Sequence, residues 1–460
     1  MRYWLILLIA FFSPTHASPL PNEVHAALKA AHIRIDNTGI IVWDSTHAEP
    51  SIVINPQHSF NPASTMKLLT SYAALNLLGP AYTWKTDIYH DGSVHDDILS
   101  GNLYLKGYGD PSITVERFWM LLHQLHLQGI RHINGDLVID QSYFQLNPRP
   151  QFDDHPNRAY NAEPAAMMVN FNSSEIKLIP NTTSVAAQAE PLPSTTQIAN
   201  HIALTNAVCG EWRDAIHTDW QTNTHQLTLN GSYASDCGEK SFALNLGNAS
   251  ALVAGLFQQL WLADGGTMTG TWRVGSAPDS AQLVSSYSSP PLAQIIYDIN
   301  KYSNNIMARS VFLSLSTPPN ANIESASDNV RNWLKLAQLN FPELVLENGA
   351  GLSRLERISP YHMAQLLHDA YRSPYYPELA NSLPIVAIDG TMKKRLKDSP
   401  VAGRAHIKTG TLEGVKTMAG YVHAANGHTY IVVFFINDEH AQAGGTAQDA
   451  LLKVVSETGE

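Results

Sequence analysis

A chain of 460 residues is long enough for about three domains. Its 44% hydrophobic and 15% charged content is globular and excludes a largely disordered chain. The net charge of −11 and the absence of a basic stripe exclude nucleic acid as an expected partner. At the N-terminus, Arg2, the apolar run Trp4 to Phe12 and then Thr15-His16-Ala17 read as an export signal cleaved before Ser18. The run is too short for an ordinary transmembrane helix, and no later run is long and charge-free. No integral membrane segment is expected in the mature chain.

The first strong helix signal follows Asn61. Asn61 is placed to cap it, Pro62 fits its first position, and Met66, Leu69, Ala73 and Leu77 recur at helical spacing before Gly79-Pro80. Ser64 then falls in the first turn, where backbone N–H groups lack intrahelical partners, and Lys67 lies one turn on over the same face. Strand-like pieces follow at Thr86 to His90, Asn102 to Lys106, Asp136 to Asp140 and Met167 to Phe171, with a helix at Val115 to Leu127. His123, His126 and His132 fall on that helix and the loop after it, a pattern of surface decoration rather than metal ligation; no metal site or cofactor is expected. Asn181 to Thr196 reads as a boundary, and Asn230-Gly231 as a turn after the alternating Gln226 to Leu229. Further helices are expected at Ala249 to Leu262, at Leu292 to Ile299 and after Ser359-Pro360. Ala405 to Leu412, Lys416 to Ala424 and His428 to Ile436 read as strands, the last two joined by an Asn426-Gly427 hairpin. The only cysteines, Cys209 and Cys237, are expected to pair in an exported chain, the other reading being two free buried thiols.

Three short motifs occur in order: Ser64-x-x-Lys67, Ser303-Asn304-Asn305 after a helix, and Lys408-Thr409-Gly410-Thr411 on a strand. Each alone is weak. Together they form the three-part signature of penicillin-binding proteins and class A β-lactamases. Taken singly, Ser303 and Asn305 also fit as caps of the helix near Ile306, and Lys408 as a surface residue of an edge strand.

With these motifs the sequence resembles the class C low-molecular-mass penicillin-binding proteins, the D-alanyl-D-alanine carboxypeptidase/endopeptidases. The resemblance covers nearly the whole mature chain. It is carried by PASTMKLLTSYAAL (62–75), AYNAEPAAMMVNFN (159–172), ENGAGLSRLERIS (347–359) and DGTMKKRLKDSPVAGRAHIKTGTLEGVKTMAGYV (389–422). Ser303 follows Ser64 by 239 positions (303 − 64), a gap that such proteins fill with two inserted domains. The implied fold is α+β: a transpeptidase-like domain (18–86 and 285–460), with β-rich inserts II (87–182 and 241–284) and III (183–240).

The resemblance implies a serine hydrolase that cleaves peptidoglycan stem peptides ending in D-Ala-D-Ala, and cross-links, through an acyl-enzyme on Ser64. β-Lactams would inhibit it by acylating the same serine. Serine needs a base to attack at neutral pH, and Lys67, its proton affinity lowered by burial and by Lys408, fits that role. Ser303 would relay the proton to the leaving amine, and Asn305 would hold Lys67 and the substrate backbone. Lys408 and Thr409 would receive the terminal carboxylate, beside Gly410. The N–H groups of Ser64 and Thr411 would form an oxyanion hole. Asp153 or Asp154 would meet an amino group of the substrate, with Asp154 preferred. Glu163 lies in the insert and reads as structural. The expected location is the periplasm. The competing readings are a β-lactamase or esterase of the same fold, and a non-catalytic wall-binding scaffold.

Overall fold

The computed structural model describes residues 19–147, 151–193, 196–318 and 321–458. The expected export signal (1–17) lies outside the described residues.

A five-stranded antiparallel sheet organises the first body. Its order is Ala405–Leu412, Val415–His423, Thr429–Asn437, Thr38–Asp44 and Ile52–Ile54. Both faces are covered, and the side-chain alternation of one strand shows it: Ile41 and Trp43 enter one core, Ile40 and Val42 the other. Helices Met66–Leu77, Leu292–Tyr302, Asn305–Leu313 and Pro360–Arg372 pack on the first face. Helices Asn22–Ala30 and Gly445–Thr458 close the second. Strand Ala405–Leu412 lies at the edge, so alternate backbone groups face away from the sheet.

The second body carries a five-stranded and a four-stranded sheet, with helices Val115–Leu127 and Ala249–Ala263 packed around one core. The third holds two three-stranded sheets around Ile176, Leu178, Leu227 and Leu229. Cys209 and Cys237 are disulfide-bonded there. Strands Ser174–Pro180 and Val185–Glu190 pair residue for residue, with Lys240–Leu244 on the other side. A boundary at 183 falls between paired strands, so we propose that the second insert runs from Ser174 to Leu244.

Two local expectations fail. Met167 to Phe171 is not a strand: Asn170, Phe171 and Asn172 all take positive φ, and a 3₁₀ turn forms at Asn170–Asn172. Gln141 holds this segment by bonding both the N–H and the carbonyl of Met167. Asn230-Gly231 is not a turn either. It lies inside strand Gln226–Ala234, the centre of its sheet. A Cβ on Gly231 would meet the Ala215 carbonyl at 2.0 Å, so this glycine serves close packing of strands.

Candidate active site

Ser64 sits slightly ahead of the expected place. The α-helix proper begins at Met66, after a 3₁₀ turn at Ala63–Thr65. Ala63 has φ +44°, which interrupts the helical run. Asn61 therefore does not cap the helix: from just ahead of the turn its Oδ1 accepts from the Ala63 N–H at 2.9 Å, while its Nδ2 donates to the Ser353 carbonyl at 2.8 Å. The turn is pressed from two sides by glycines. A Cβ on Gly351 (φ +78°) would lie 1.8 Å from the Ala63 carbonyl oxygen, and one on Gly410 would lie 2.7 Å from the Ser64 nitrogen. Only backbone fits at either place.

Lys67 is fully buried. Its Nζ donates to Ser64 Oγ at 3.0 Å, to Asn305 Oδ1 at 2.6 Å and to the Ala350 carbonyl. Burial first, and the Lys408 cation next, hold its pKa well below the ordinary lysine value. A lysine in this state can accept a proton at neutral pH more readily than a free one.

Ser303 and Asn305 flank the end of one helix and the start of the next. Ser303 takes a left-handed conformation (φ +56°) at the end of Leu292–Tyr302. The cap of Asn305–Leu313 is Asn304, whose Oδ1 accepts from the Met307 N–H at 3.1 Å. That division of labour frees the side chains of Ser303 and Asn305 for the two lysines. Lys408 Nζ donates to Ser303 Oγ at 3.0 Å and to the Thr409 carbonyl at 2.7 Å. Lys408 is fully buried, and burial brings its pKa down to about 7. Thr409, Gly410 and Thr411 line the same groove as Ser64 and Ser303, with a volume of ≈ 370 Å³.

Sequence reasoning missed what shapes the loop over Lys67. Glu356 is buried, and its Oε1 accepts from the N–H groups of Glu347, Asn348 and Gly349 at 3.1, 2.9 and 2.8 Å. This bends the chain so that the Ala350 carbonyl reaches Lys67. Lys301 was missed as well. It pairs with Asp389 at 2.6 Å, ahead of the turn at Gly390–Met392 whose Thr391 hydroxyl meets Thr409 Oγ1 at 2.9 Å.

Other candidates lie around this centre. Asp154 is exposed on the segment where Phe152 stacks under Arg354. Asp153 is occupied within its own loop, accepting from Tyr160 and Asn161 at 2.9 and 2.7 Å. Glu163 pairs with Arg309, which also donates to the Ala162 carbonyl, tying the insert to the helix that begins with Asn305. His123 and His126 both meet Asp264, at 3.1 and 2.7 Å, and His132 meets Thr267.

A serine whose proton can pass to a buried, readily deprotonated lysine, in a groove walled by an edge strand, is equipped for acyl transfer, and the fold around it is of the penicillin-binding class. The D-Ala-D-Ala carboxypeptidase 3 (S13) family matches residues 20–458, and the chain belongs to it. It is similar to the D-alanyl-D-alanine carboxypeptidase of Actinomadura sp. (strain R39), 26% identical and covering 96% of this chain and 85% of that one. It is also similar to the D-alanyl-D-alanine carboxypeptidase DacB of Haemophilus influenzae, at 25% identity over 94% and 91% of the two chains. The crystal structure of penicillin binding protein 4 (dacB) from Haemophilus influenzae shares the fold with a TM-score of 0.77 and 25% identity, covering 94% of this chain and 99% of that one. A predatory endopeptidase of Bdellovibrio bacteriovorus shares the fold alone, with a TM-score of 0.56 at 14% identity over 91% of each chain.

Proposed function

We propose that this serine D-Ala-D-Ala carboxypeptidase cleaves peptidoglycan stem peptides, and their cross-links, through an ester on Ser64. The observation that carries the reading is the 3.0 Å contact from Lys67 Nζ to Ser64 Oγ. Neutral Lys67 takes the hydroxyl proton as Ser64 Oγ bonds to the carbonyl carbon of the penultimate D-alanine. The N–H groups of Ser64 and Thr411 receive the developing oxyanion, each such donor being worth about 10²–10³ in rate. The proton then passes by way of Ser303 to the leaving amine, the C–N bond breaks, and water hydrolyses the ester. Asn305 and the Ala350 carbonyl orient Lys67. Thr409 and Thr411 meet the free carboxylate, and Lys408 contributes its field from beneath. Asp154 is the proposed contact for an amino group on the acyl side. The proposed location is the periplasm, after export by the N-terminal signal, where stem peptides would be met.

The relative from Haemophilus influenzae has been crystallised with a β-lactam. The corresponding test here is labelled penicillin followed by peptide mapping. The adduct is expected on Ser64 with slow release, and an adduct on another serine would refute the assignment. Rapid turnover would favour a β-lactamase. A zero rate on acyl-D-Ala-D-Ala from folded protein would favour a scaffold.

A further inference from the structure

The groove continues past Gly410 and Thr411 to a patch lined by two cations, Arg395 and Lys416, with no carboxylate among its described lining residues. In a chain of net charge −11 this is a local reversal of sign. Lys416 stands opposite Thr411 in the register of the two strands. Directly opposed residues hold their Cβ atoms about 5 Å apart on one face of the sheet. Lys416 therefore shares a face with the residues proposed to meet the substrate's free carboxylate. Its stem passes over Gly445, where a Cβ would lie 3.2 Å from Lys416 Cε, so glycine keeps the path open.

The three cations near the groove are not equivalent. Lys408 is fully buried, with its Nζ on Ser303 and the Thr409 carbonyl. Arg395 is held by Asp449 and the Gly445 carbonyl. Lys416 is half-buried, and its ammonium, unlike its strand-paired backbone, makes no hydrogen bond or ion pair among the described residues. Burial, and then the neighbouring Arg395, disfavour its charged form; Asp449, which is bonded to Arg395, offsets this only in part, and a bound anion would relieve the rest.

We infer that Lys416 is the cation that pairs with the free carboxylate of the leaving residue, while Lys408 works inside the site on Ser303. Thr409 and Thr411 supply hydroxyls to the same carboxylate, and Arg395 contributes field without direct contact. The inference rests on the reading of Ser64 as a nucleophile toward D-alanyl substrates, and it reassigns the contact expected of Lys408.

The test compares kcat/KM for acyl-D-Ala-D-Ala and its C-terminal amide in wild type, Lys416→Gln and Lys416→Arg. Wild type is expected to lose about 10- to 100-fold on amidation, the scale of one charge-assisted hydrogen bond. Lys416→Gln should show little further loss on amidation, and Lys416→Arg should keep most of the discrimination. An equal amidation penalty in wild type and Lys416→Gln, or none in wild type, overturns the inference. Mapping of the penicillin adduct on the same samples tests the nucleophile separately, because it reads Ser64 whatever Lys416 does.

Discussion

Lys67 Nζ and Ser64 Oγ are 3.0 Å apart, a hydrogen bond between a buried amine and the hydroxyl it would deprotonate. Arginine cannot serve there, because its guanidinium stays protonated. Lys67→Arg is expected to lower the β-lactam acylation rate by about 10²–10⁴, the span of general-base contributions. Ser64→Ala should give no adduct at all while melting like wild type. Intact-mass kinetics and thermal melts on the three proteins check both statements.

Asn305 accepts from Lys67 at 2.6 Å, as a neutral partner. Asn305→Asp replaces it with an anion, which favours protonated Lys67. Acylation needs the neutral amine, so the rate rises as pH climbs through the Lys67 pKa. The substitution moves that limb to higher pH. A lower rate at neutral pH, partly recovered in alkaline buffer, is expected. A pH–rate profile displaced to lower pH would contradict the role given to Lys67.

The burial of the Lys408 amine costs stability. Its folded pKa is about 7, against about 10.4 for a free lysine. Between those values the unfolded chain holds a proton that the folded chain lacks, so this group makes stability rise with pH across that window. Lys408→Met removes the buried amine. The variant is expected to lose acylation and to gain stability over wild type, by more at pH 7 than at pH 10. Urea unfolding at the two values measures the difference, and a gap that widens with pH would refute the assignment.

Cys209 and Cys237 are 28 positions apart, and a bond closing a loop of that length stabilises by about 3.6 kcal/mol in the chain-entropy account. Cys237 belongs to the core of the third body, and partly buried Cys209 packs against it. The double Cys→Ala variant should open this insert at lower temperature and leave Ser64 reactive toward penicillin. Hydrogen exchange followed by peptide is the suitable readout, with loss of protection expected in 197–237. Quantitative alkylation of both thiols in denatured, non-reduced protein would show that the bond is absent.

The chemistry of this chain was legible where it is local. A serine and a lysine one helical turn apart, two asparagines after a helix and a K-T-G strand each sit within a few residues of one another. Their order along the chain sufficed to propose nucleophile, base and edge strand. Ser359 caps its helix as its position before Pro360 indicated, with its Oγ on the His362 N–H, and Gly427 (φ +86°) serves the hairpin. Contacts between distant segments were not legible, because periodicity and capping signals extend only a few residues. The Ala350 carbonyl reaches Lys67 from 283 positions away, in a loop where buried Glu356 gathers three N–H groups and Thr70 holds the Gly349 carbonyl. Asn230-Gly231 has the composition of a turn, yet neighbouring strands on both sides keep it extended. Strand register brings Lys416 opposite Thr411 and packing encloses Lys408, so the fold, not the motif, decides which lysine is left open to the groove.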